Sequence, residues 1–185
     1  IQADPQDLET FCGMTLRRSC EEVMKRYKID QLDLDQFIED EQRCYDRYFQ
    51  DDQMFPMPGL MEFLDFLQKQ GIQLAVATSS STAYIQHLLD LFQIKDRFSV
   101  VVAGDQVENG KPAPDIYLCV AEKLGVKPED CMVFEDVPAG ILAGKRAGMT
   151  VYAIEDEFSR KMEAEKRELA DGYIRDYFEL LGAKK

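Results

Sequence analysis

The stretch that decides the fold is CMVFEDVPAG, residues 131–140, in which a short apolar run ends at two adjacent carboxylates. Apolar runs of this length, bounded by polar and turn residues, are typical of strands. Glu135 and Asp136 close the run, and residues 139–147 follow as a helix-like segment. The stretch therefore predicts a strand, a turn that carries two acids, and a helix in succession.

Two other stretches repeat this order of strand, polar turn and helix. In one, the run at residues 73–77 ends at Thr78 and Ser79 and continues into a helical segment. In the other, the run at residues 99–103 is followed by GKPAPD, residues 110–115, and a further helical segment. This alternation predicts an α/β fold with a doubly wound, Rossmann-like parallel sheet. Because such sheets bind ligands at the carboxyl ends of their strands, we expect the three turns to meet in one site.

The acid pair is a candidate metal site. Carboxylate oxygens are hard donors that suit Mg²⁺. We assign Asp136 as a direct ligand, with Glu135 either a second ligand or an acceptor behind it. Alone, two adjacent acids could equally be a solvated loop or a helix cap, but the apolar run before them and the Pro-Ala-Gly-Ile sequence after them favour the metal site.

The other two turns carry candidate phosphate-binding groups. Lys111 is a compact point charge, and the two prolines that follow it preset the backbone, so its ammonium can project to one place. Thr78 and Ser79 offer hydroxyls beside the amides of a helix start, a combination that binds phosphate. For the next two serines, simple helix capping is the preferred interpretation.

Taken together, these motifs resemble the haloacid dehalogenase superfamily of phosphatases and phosphomutases, in particular its β-phosphoglucomutase branch. By position, Thr78 matches the hydroxyl of the family's second motif, Lys111 the lysine of the third, and Glu135 with Asp136 the acids of the fourth. The resemblance implies Mg²⁺ as cofactor, with catalytic roles for Thr78 and Lys111. It also implies phosphate binding by Thr78, Ser79 and Lys111, and metal binding by the two acids.

The family's first motif, a strand that ends in Asp-x-Asp-Gly-Thr, is not found in this sequence. In the family its first aspartate attacks phosphorus and its second moves the proton. Asp33 and Asp35 spell Asp-x-Asp, but no apolar strand precedes them and no Gly-Thr follows. Gln36 lies three residues after Asp33, a spacing that favours a capping box opening a helix through Phe49.

The chain divides at MFPMPG, residues 54–59, where two prolines and a glycine stop a helix. Residues 1–53 are polar with helical spacing and are predicted to form part of a helical cap. Residues 54–185 are predicted to form the α/β core without its first strand. The resemblance places Ile1 inside the cap, so about 30 residues with a strand, a loop and a helix start are expected before it.

Three cap residues are candidates for substrate contact. The resemblance places Thr15 in the cap turn that takes part in substrate selection. Arg17 and Arg43 could meet distal polar groups of a substrate, although surface ion pairs are the simpler interpretation for both. Later in the chain, the alternating charges of residues 155–168 indicate a solvated helix face.

Composition limits the kinds of partner that this chain is expected to bind. The sequence has 22 Lys and Arg against 35 Asp and Glu, a net charge of −13, which disfavours nucleic acid and acidic membranes. No apolar run approaches the roughly 20 residues that span a bilayer. Its five cysteines are odd in number and lack Cys-x-x-Cys spacing, which predicts a reducing, cytoplasmic compartment. We expect a monomer that acts on a small phosphorylated metabolite.

Two functional hypotheses remain open. The first is magnesium-dependent phosphoryl transfer through an aspartyl-phosphate intermediate, as the resemblance implies. In this hypothesis, hydrolysis of a metabolite such as a sugar phosphate is preferred, with a β-phosphoglucomutase-type mutase as the alternative. The second is a catalytically incomplete fragment or a phosphate-binding pseudoenzyme, because the Asp-x-Asp nucleophile is not found.

Overall fold

A computed structural model describes residues 11, 13–48 and 54–182. Ile1 and residue 53, the predicted ends of the cap, lie outside this part of the chain. Phe49, the predicted end of the helix that Asp33 opens, also lies outside it. The described residues contain seven α-helices and five strands, which confirms the predicted α/β class. The helices are α1 Leu16–Arg26, α2 Leu34–Tyr48, α3 Leu60–Lys69, α4 Thr82–Leu91, α5 Asp115–Leu124, α6 Pro138–Arg146 and α7 Glu163–Leu169.

The strands form two parallel sheets. β1 Ala75–Ala77 pairs with β2 Val100–Val102, with Ala75 opposite Val100. β3 Met132–Glu135 pairs with β4 Thr150–Ile154, and β4 pairs with β5 Gly172–Ile174. Among the described strands, β1 and β3 are not paired with each other. All three predicted turns follow the carboxyl ends of strands, as expected.

Helices cover both faces of β3. On one face, Val133 packs in a buried cluster with α5 and α6, whose members include Ile116 and Ile141. On the other face, Phe134 meets Phe63 of α3 at 5.5 Å and Tyr177 at 5.5 Å between ring centroids. Because apolar groups lie on both sides of it, β3 reads in the sequence as a continuous apolar run rather than an alternating one.

The cap helices begin where the sequence indicates. Thr15 caps α1, since its Oγ1 accepts a hydrogen bond from the amide of Arg18 at 3.4 Å. Asp33 caps α2, since its Oδ2 accepts from the amides of Asp35 at 3.1 Å and Gln36 at 3.4 Å. The capping interpretation of Asp33 is therefore confirmed. The Gln36 side-chain amide donates to Asp40 at 3.2 Å, and the described residues show no hydrogen bond from the Asp33 amide to its oxygen.

The charged stretch at residues 155–168 differs from the expected solvated helix. Only its end is α-helical, in α7, and Lys166 is fully buried. The Lys166 ammonium donates to the carbonyl of Ile154 at 3.0 Å and to the hydroxyl of Ser159 at 2.8 Å, and lies 5.7 Å from the Tyr173 ring centroid. The alternation of charge does not reveal which position of a short helix faces the sheet.

No helix within residues 13–48 and 54–182 combines the length and the apolar character that crossing a membrane requires.

Candidate active site

The loops after β1 and β2 touch at the carboxyl edge of their sheet. The amide of Gly104 donates to the carbonyl of Ser80 at 2.9 Å, and a side chain at position 104 would overlap the backbone of Ser79. Glycine is required here because the two backbones approach directly. This contact fixes the position of the turn that carries Thr78 and Ser79.

Lys111 bridges the carboxyl ends of β1 and β3. Its side chain is almost fully buried, and its ammonium donates to Glu135 Oε1 and, at 3.4 Å, to the carbonyl of Ala77. The lysine loop is also held from outside, since the guanidinium of Arg146 donates to the carbonyl of Pro112 at 2.7 Å. The sequence-predicted cation therefore lies at the strand ends with a fixed direction.

Glu135 is the buried partner of that cation. It is only 6% exposed, and its Oε1 accepts hydrogen bonds from both Lys111 and the hydroxyl of Tyr117. The carboxylate lies over Gly140, where any side chain would overlap it. Sequence reasoning missed Tyr117, although a tyrosine at an apolar helix position needs a partner for its hydroxyl when buried.

Asp136 is half-buried at the same strand end. Burial raises the pKa of its carboxyl above the ordinary value, and the charges of Glu135 and Asp156 raise it further, while Lys111 opposes them. The pKa is raised because this carboxylate is partly removed from water and faces two other acids. Asp156 also follows the carboxyl end of a strand, β4, but no motif surrounds it that would have identified it from sequence.

The donor chemistry at this strand end fits Mg²⁺. Asp136 supplies hard oxygens, and a divalent cation would relieve the repulsion that raises its pKa. Glu135 Oε2 accepts no hydrogen bond from the described residues, so it remains available for a cation or a water. Residues 13–48 and 54–182 hold no cluster of three or more His, Cys, Asp or Glu side chains in metal-binding positions. Two protein ligands suffice for Mg²⁺, which retains waters and binds substrate phosphates.

The start of α4 is largely satisfied by the protein itself. Thr78 Oγ1 accepts from the amide of Ser80 at 3.1 Å, and Ser81 caps the helix. Asp105 accepts from both the amide of Thr82, at 3.0 Å, and its hydroxyl, at 2.7 Å. The expected capping role is confirmed for Ser81. Asp105, in the loop after β2, accepts from one of the helix-start amides that were predicted to bind phosphate. Among the described residues, no acceptor is seen for the hydroxyl proton of Thr78.

The cap turn at residues 13–15 sits on these loops. Ser79 Oγ donates to the carbonyl of Gly13 at 2.8 Å. Gly110 allows close approach of Thr15, whose methyl would be 2.8 Å from a Cβ at position 110. The cap is therefore in contact with the loops after both β1 and β2.

Arg17 and Arg43 form ion pairs on the cap. Arg17 pairs with Asp35 at 2.5 Å, and Arg43 pairs with Asp40 at 2.7 Å. More than half of each arginine side chain is exposed. Both arginines therefore form surface ion pairs, the simpler interpretation of their role, and both also line the cleft.

A cleft of 1390 Å³ lies between the cap and the core. It is lined by five of the predicted site residues, Thr15, Arg17, Arg43, Ser79 and Lys111. Thr78, Glu135 and Asp136 are not among the residues that line it. Lys111 lines the cleft and also donates to buried Glu135, so it is the predicted group that connects the two.

The chain matches the family model of haloacid dehalogenase-like hydrolases over residues 1–154, and it belongs to that family. A phosphorylated carbohydrates phosphatase of Thermotoga maritima is 44% identical over 98 residues, which are 52% of this chain and 45% of that protein. Hexitol phosphatase A of Escherichia coli is 40% identical over 100 residues, which are 53% of this chain and 45% of that protein.

A solved structure supports the same fold. It is described as a putative β-phosphoglucomutase from Thermotoga maritima, with a TM-score of 0.71 and 29% identity over 97% of this chain and 83% of that one. The matches to the two curated phosphatases cover a little under half of their length.

Proposed function

We propose that the protein carrying this chain transfers the phosphoryl group of a small phosphorylated metabolite to water. The observation that carries this proposal is the position of Lys111, a nearly buried cation that lines the cleft at the ends of two parallel strands. Its pairing with Glu135 directs the ammonium toward the strand ends. The names of the two curated relatives support a phosphorylated carbohydrate or hexitol as the substrate class.

In the proposed reaction, Lys111 binds the phosphoryl oxygens. A preorganised cation in a site from which water is excluded stabilises charge that develops in the transition state. Thr78 donates its free hydroxyl proton to a second phosphoryl oxygen, and the Ser79 amide and hydroxyl lie beside it. Asp136, together with Oε2 of Glu135, would hold Mg²⁺. When bound, the ion screens the negative charges of phosphate and nucleophile.

We propose that the nucleophile comes from a strand that pairs with both β1 and β3. These strands belong to separate parallel sheets, yet their carboxyl ends are close enough to be joined by the Lys111 ammonium. A strand between them would present its carboxyl end beside Lys111 and Asp136. A carboxylate there would attack phosphorus and form an acyl phosphate while the P–O bond to the metabolite breaks and the leaving oxygen takes a proton. Water then hydrolyses the acyl phosphate to the carboxylate and inorganic phosphate.

The cap residues are proposed to select the substrate. Thr15, Arg17 and Arg43 line the same cleft as Lys111, and Thr15 packs against the Lys111 loop at Gly110. The likeness to a solved structure described as a putative β-phosphoglucomutase favours a second candidate function, a phosphomutase, in which a sugar hydroxyl rather than water accepts the phosphoryl group.

The test is an assay of the intact protein against a panel of hexose, pentose and hexitol phosphates, with Mg²⁺ and with EDTA. Release of inorganic phosphate that depends on Mg²⁺ supports the phosphatase. Conversion of a sugar 1-phosphate to its 6-phosphate without phosphate release supports the mutase. Neither product with any substrate would overturn both and favour the phosphate-binding pseudoenzyme.

A further inference from the structure

Tyr117 contacts both members of the buried ion pair. Its hydroxyl donates to Oε1 of Glu135, the same oxygen that accepts from Lys111. The Lys111 ammonium also lies 5.2 Å from the centroid of the Tyr117 ring. Tyr117 is itself only 4% exposed, in the first turn of α5, so its position is fixed by the core.

The three side chains come from three separate elements. Lys111 is in the loop before α5, Tyr117 is in α5, and Glu135 ends β3. Each is buried, and a buried carboxylate is stable only when charges and hydrogen bonds compensate for lost water. With both donors in place, Glu135 has one charged and one neutral partner on the same oxygen.

The hydrogen bond from the Tyr117 hydroxyl to Glu135 affects how far the Lys111 ammonium is free to move. An ammonium has three protons, of which Lys111 gives one to Glu135 and one to the carbonyl of Ala77. If Glu135 depended on Lys111 alone, movement of the ammonium toward a phosphoryl group would leave a buried carboxylate without a donor. The Tyr117 hydroxyl keeps that carboxylate hydrogen-bonded, and it fixes the oxygen to which the ammonium points.

We propose that Tyr117 is a positioning residue for phosphoryl transfer, which holds the Glu135 carboxylate in place so that Lys111 can turn toward the phosphoryl oxygens. This inference rests on the proposed function. Tyr117 does not line the cleft, and its proposed role involves no contact with the substrate. Its effect is exerted through Glu135 on the direction of the ammonium.

The experiment compares Tyr117→Phe with wild type in the intact protein, using the best substrate of the panel. The change removes the hydroxyl and keeps the ring over Lys111. We expect kcat to fall by about 10-fold to 100-fold, the size expected for losing a hydrogen bond to a charged group, with KM little changed. Tyr152→Phe is the matched control, since its hydroxyl has no hydrogen bond among the described residues, and we expect it to leave kcat unchanged.

A double-mutant cycle separates positioning from general packing. Tyr117→Phe should cost nothing further in kcat/KM in the Lys111→Met background, because the cation it directs is absent. An equal loss with and without Lys111, a change in KM alone, or full activity in Tyr117→Phe would each overturn the inference.

Thermal denaturation checks that the variant is folded at the assay temperature. If it is not, wild type and Tyr117→Phe are compared at a lower temperature at which both are folded. Unchanged kcat under those conditions overturns the inference. A wild-type protein that is inactive toward every substrate refutes the proposed function instead, so the two failures are distinct.

Discussion

The hydroxyl of Ser79 lies 2.8 Å from the carbonyl oxygen of Gly13, and this hydrogen bond joins the loop after β1 to the cap. A serine hydroxyl has one proton, so while Gly13 accepts it the side chain cannot also donate to a phosphate. The same residue was predicted from sequence to bind phosphate. Opening of the cap would release the hydroxyl for that role.

Replacing Ser79 with Ala should loosen the cap. Loss of one neutral hydrogen bond costs about 0.5–1.5 kcal/mol, and we expect faster amide exchange in α1 by hydrogen–deuterium exchange. Ser80→Ala is the control, because the Ser80 hydroxyl makes no hydrogen bond among the described residues. Weaker inhibition by inorganic phosphate, with unchanged exchange in α1, would show that the hydroxyl binds the phosphoryl group instead.

Replacing Lys111 with Ala should remove most of the turnover of the intact protein. The cation stabilises transition-state charge, and the loss of one such preorganised group costs on the order of 2.7 to 4 kcal/mol. The measurement is kcat/KM with the best substrate. Lys145→Ala is the control, since Lys145 pairs with Asp171 at 2.5 Å and does not line the cleft. A loss of less than about tenfold, or roughly 1.4 kcal/mol, would contradict the role of Lys111.

Replacing Asp136 with Asn should remove magnesium-dependent turnover and yet stabilise the metal-free protein. Burial, Glu135 and Asp156 raise the pKa of Asp136, so the fold disfavours its ionised form and loses stability as pH rises through the raised pKa. Asparagine removes that charge. The measurement is thermal denaturation in EDTA at neutral pH, together with turnover in Mg²⁺.

Asp171→Asn is the comparison variant, and its expected effect on thermal stability has the opposite sign to that of Asp136→Asn. Lys145 and the amide of Val151 lower the pKa of Asp171, so its stabilisation is present above the ordinary pKa and is lost as pH falls through the lowered value. We expect this variant to be less stable than wild type at neutral pH. A lower melting temperature for Asp136→Asn in EDTA, or unchanged magnesium dependence, would contradict the assignment of Asp136.

The proposed strand between β1 and β3 predicts that residues 1–185, produced without it, are unstable or aggregated and have no magnesium-dependent phosphatase activity. A strand between β1 and β3 with about five buried apolar residues would contribute roughly 10 kcal/mol before its entropy cost, which compares with the about 5–15 kcal/mol stability of a domain. Addition of a front segment that ends in Asp-x-Asp should restore both folding and activity. The same segment with Asn-x-Asn should restore folding alone.

The outcome is measured by size-exclusion chromatography and cooperative thermal unfolding. A 185-residue chain that is monomeric, cooperatively folded and active would refute the strand proposal. Asp33 and Asp35 would then be the first carboxylates to test as nucleophiles, despite their position at the start of α2.

The sequence predicted those features that depend on neighbouring residues. The apolar run before Glu135 and the Asp33 cap are each encoded within a few positions, and the structure has them where expected. Strand boundaries were less well predicted, since the predicted run at residues 73–77 forms a strand only from Ala75.

Contacts between distant elements were not predictable in this way. Tyr117 meets Glu135 across 18 positions, and Asp105 meets Thr82 across 23. Both depend on how α5, β3 and the loops pack in three dimensions. A single sequence shows only that a tyrosine and an acid are present.

The burial of Lys166 makes this one amine a reporter of local opening. Amine-acylating reagents require a solvent-accessible, neutral amine, whereas Lys166 is fully enclosed by Ile154, Ser159 and Tyr173. Its acylation would proceed only when α7 separates from the end of β4, while exposed lysines such as Lys127 would react at once. The ratio of the two labelling rates, followed by mass spectrometry, would therefore measure how often this edge of the protein opens.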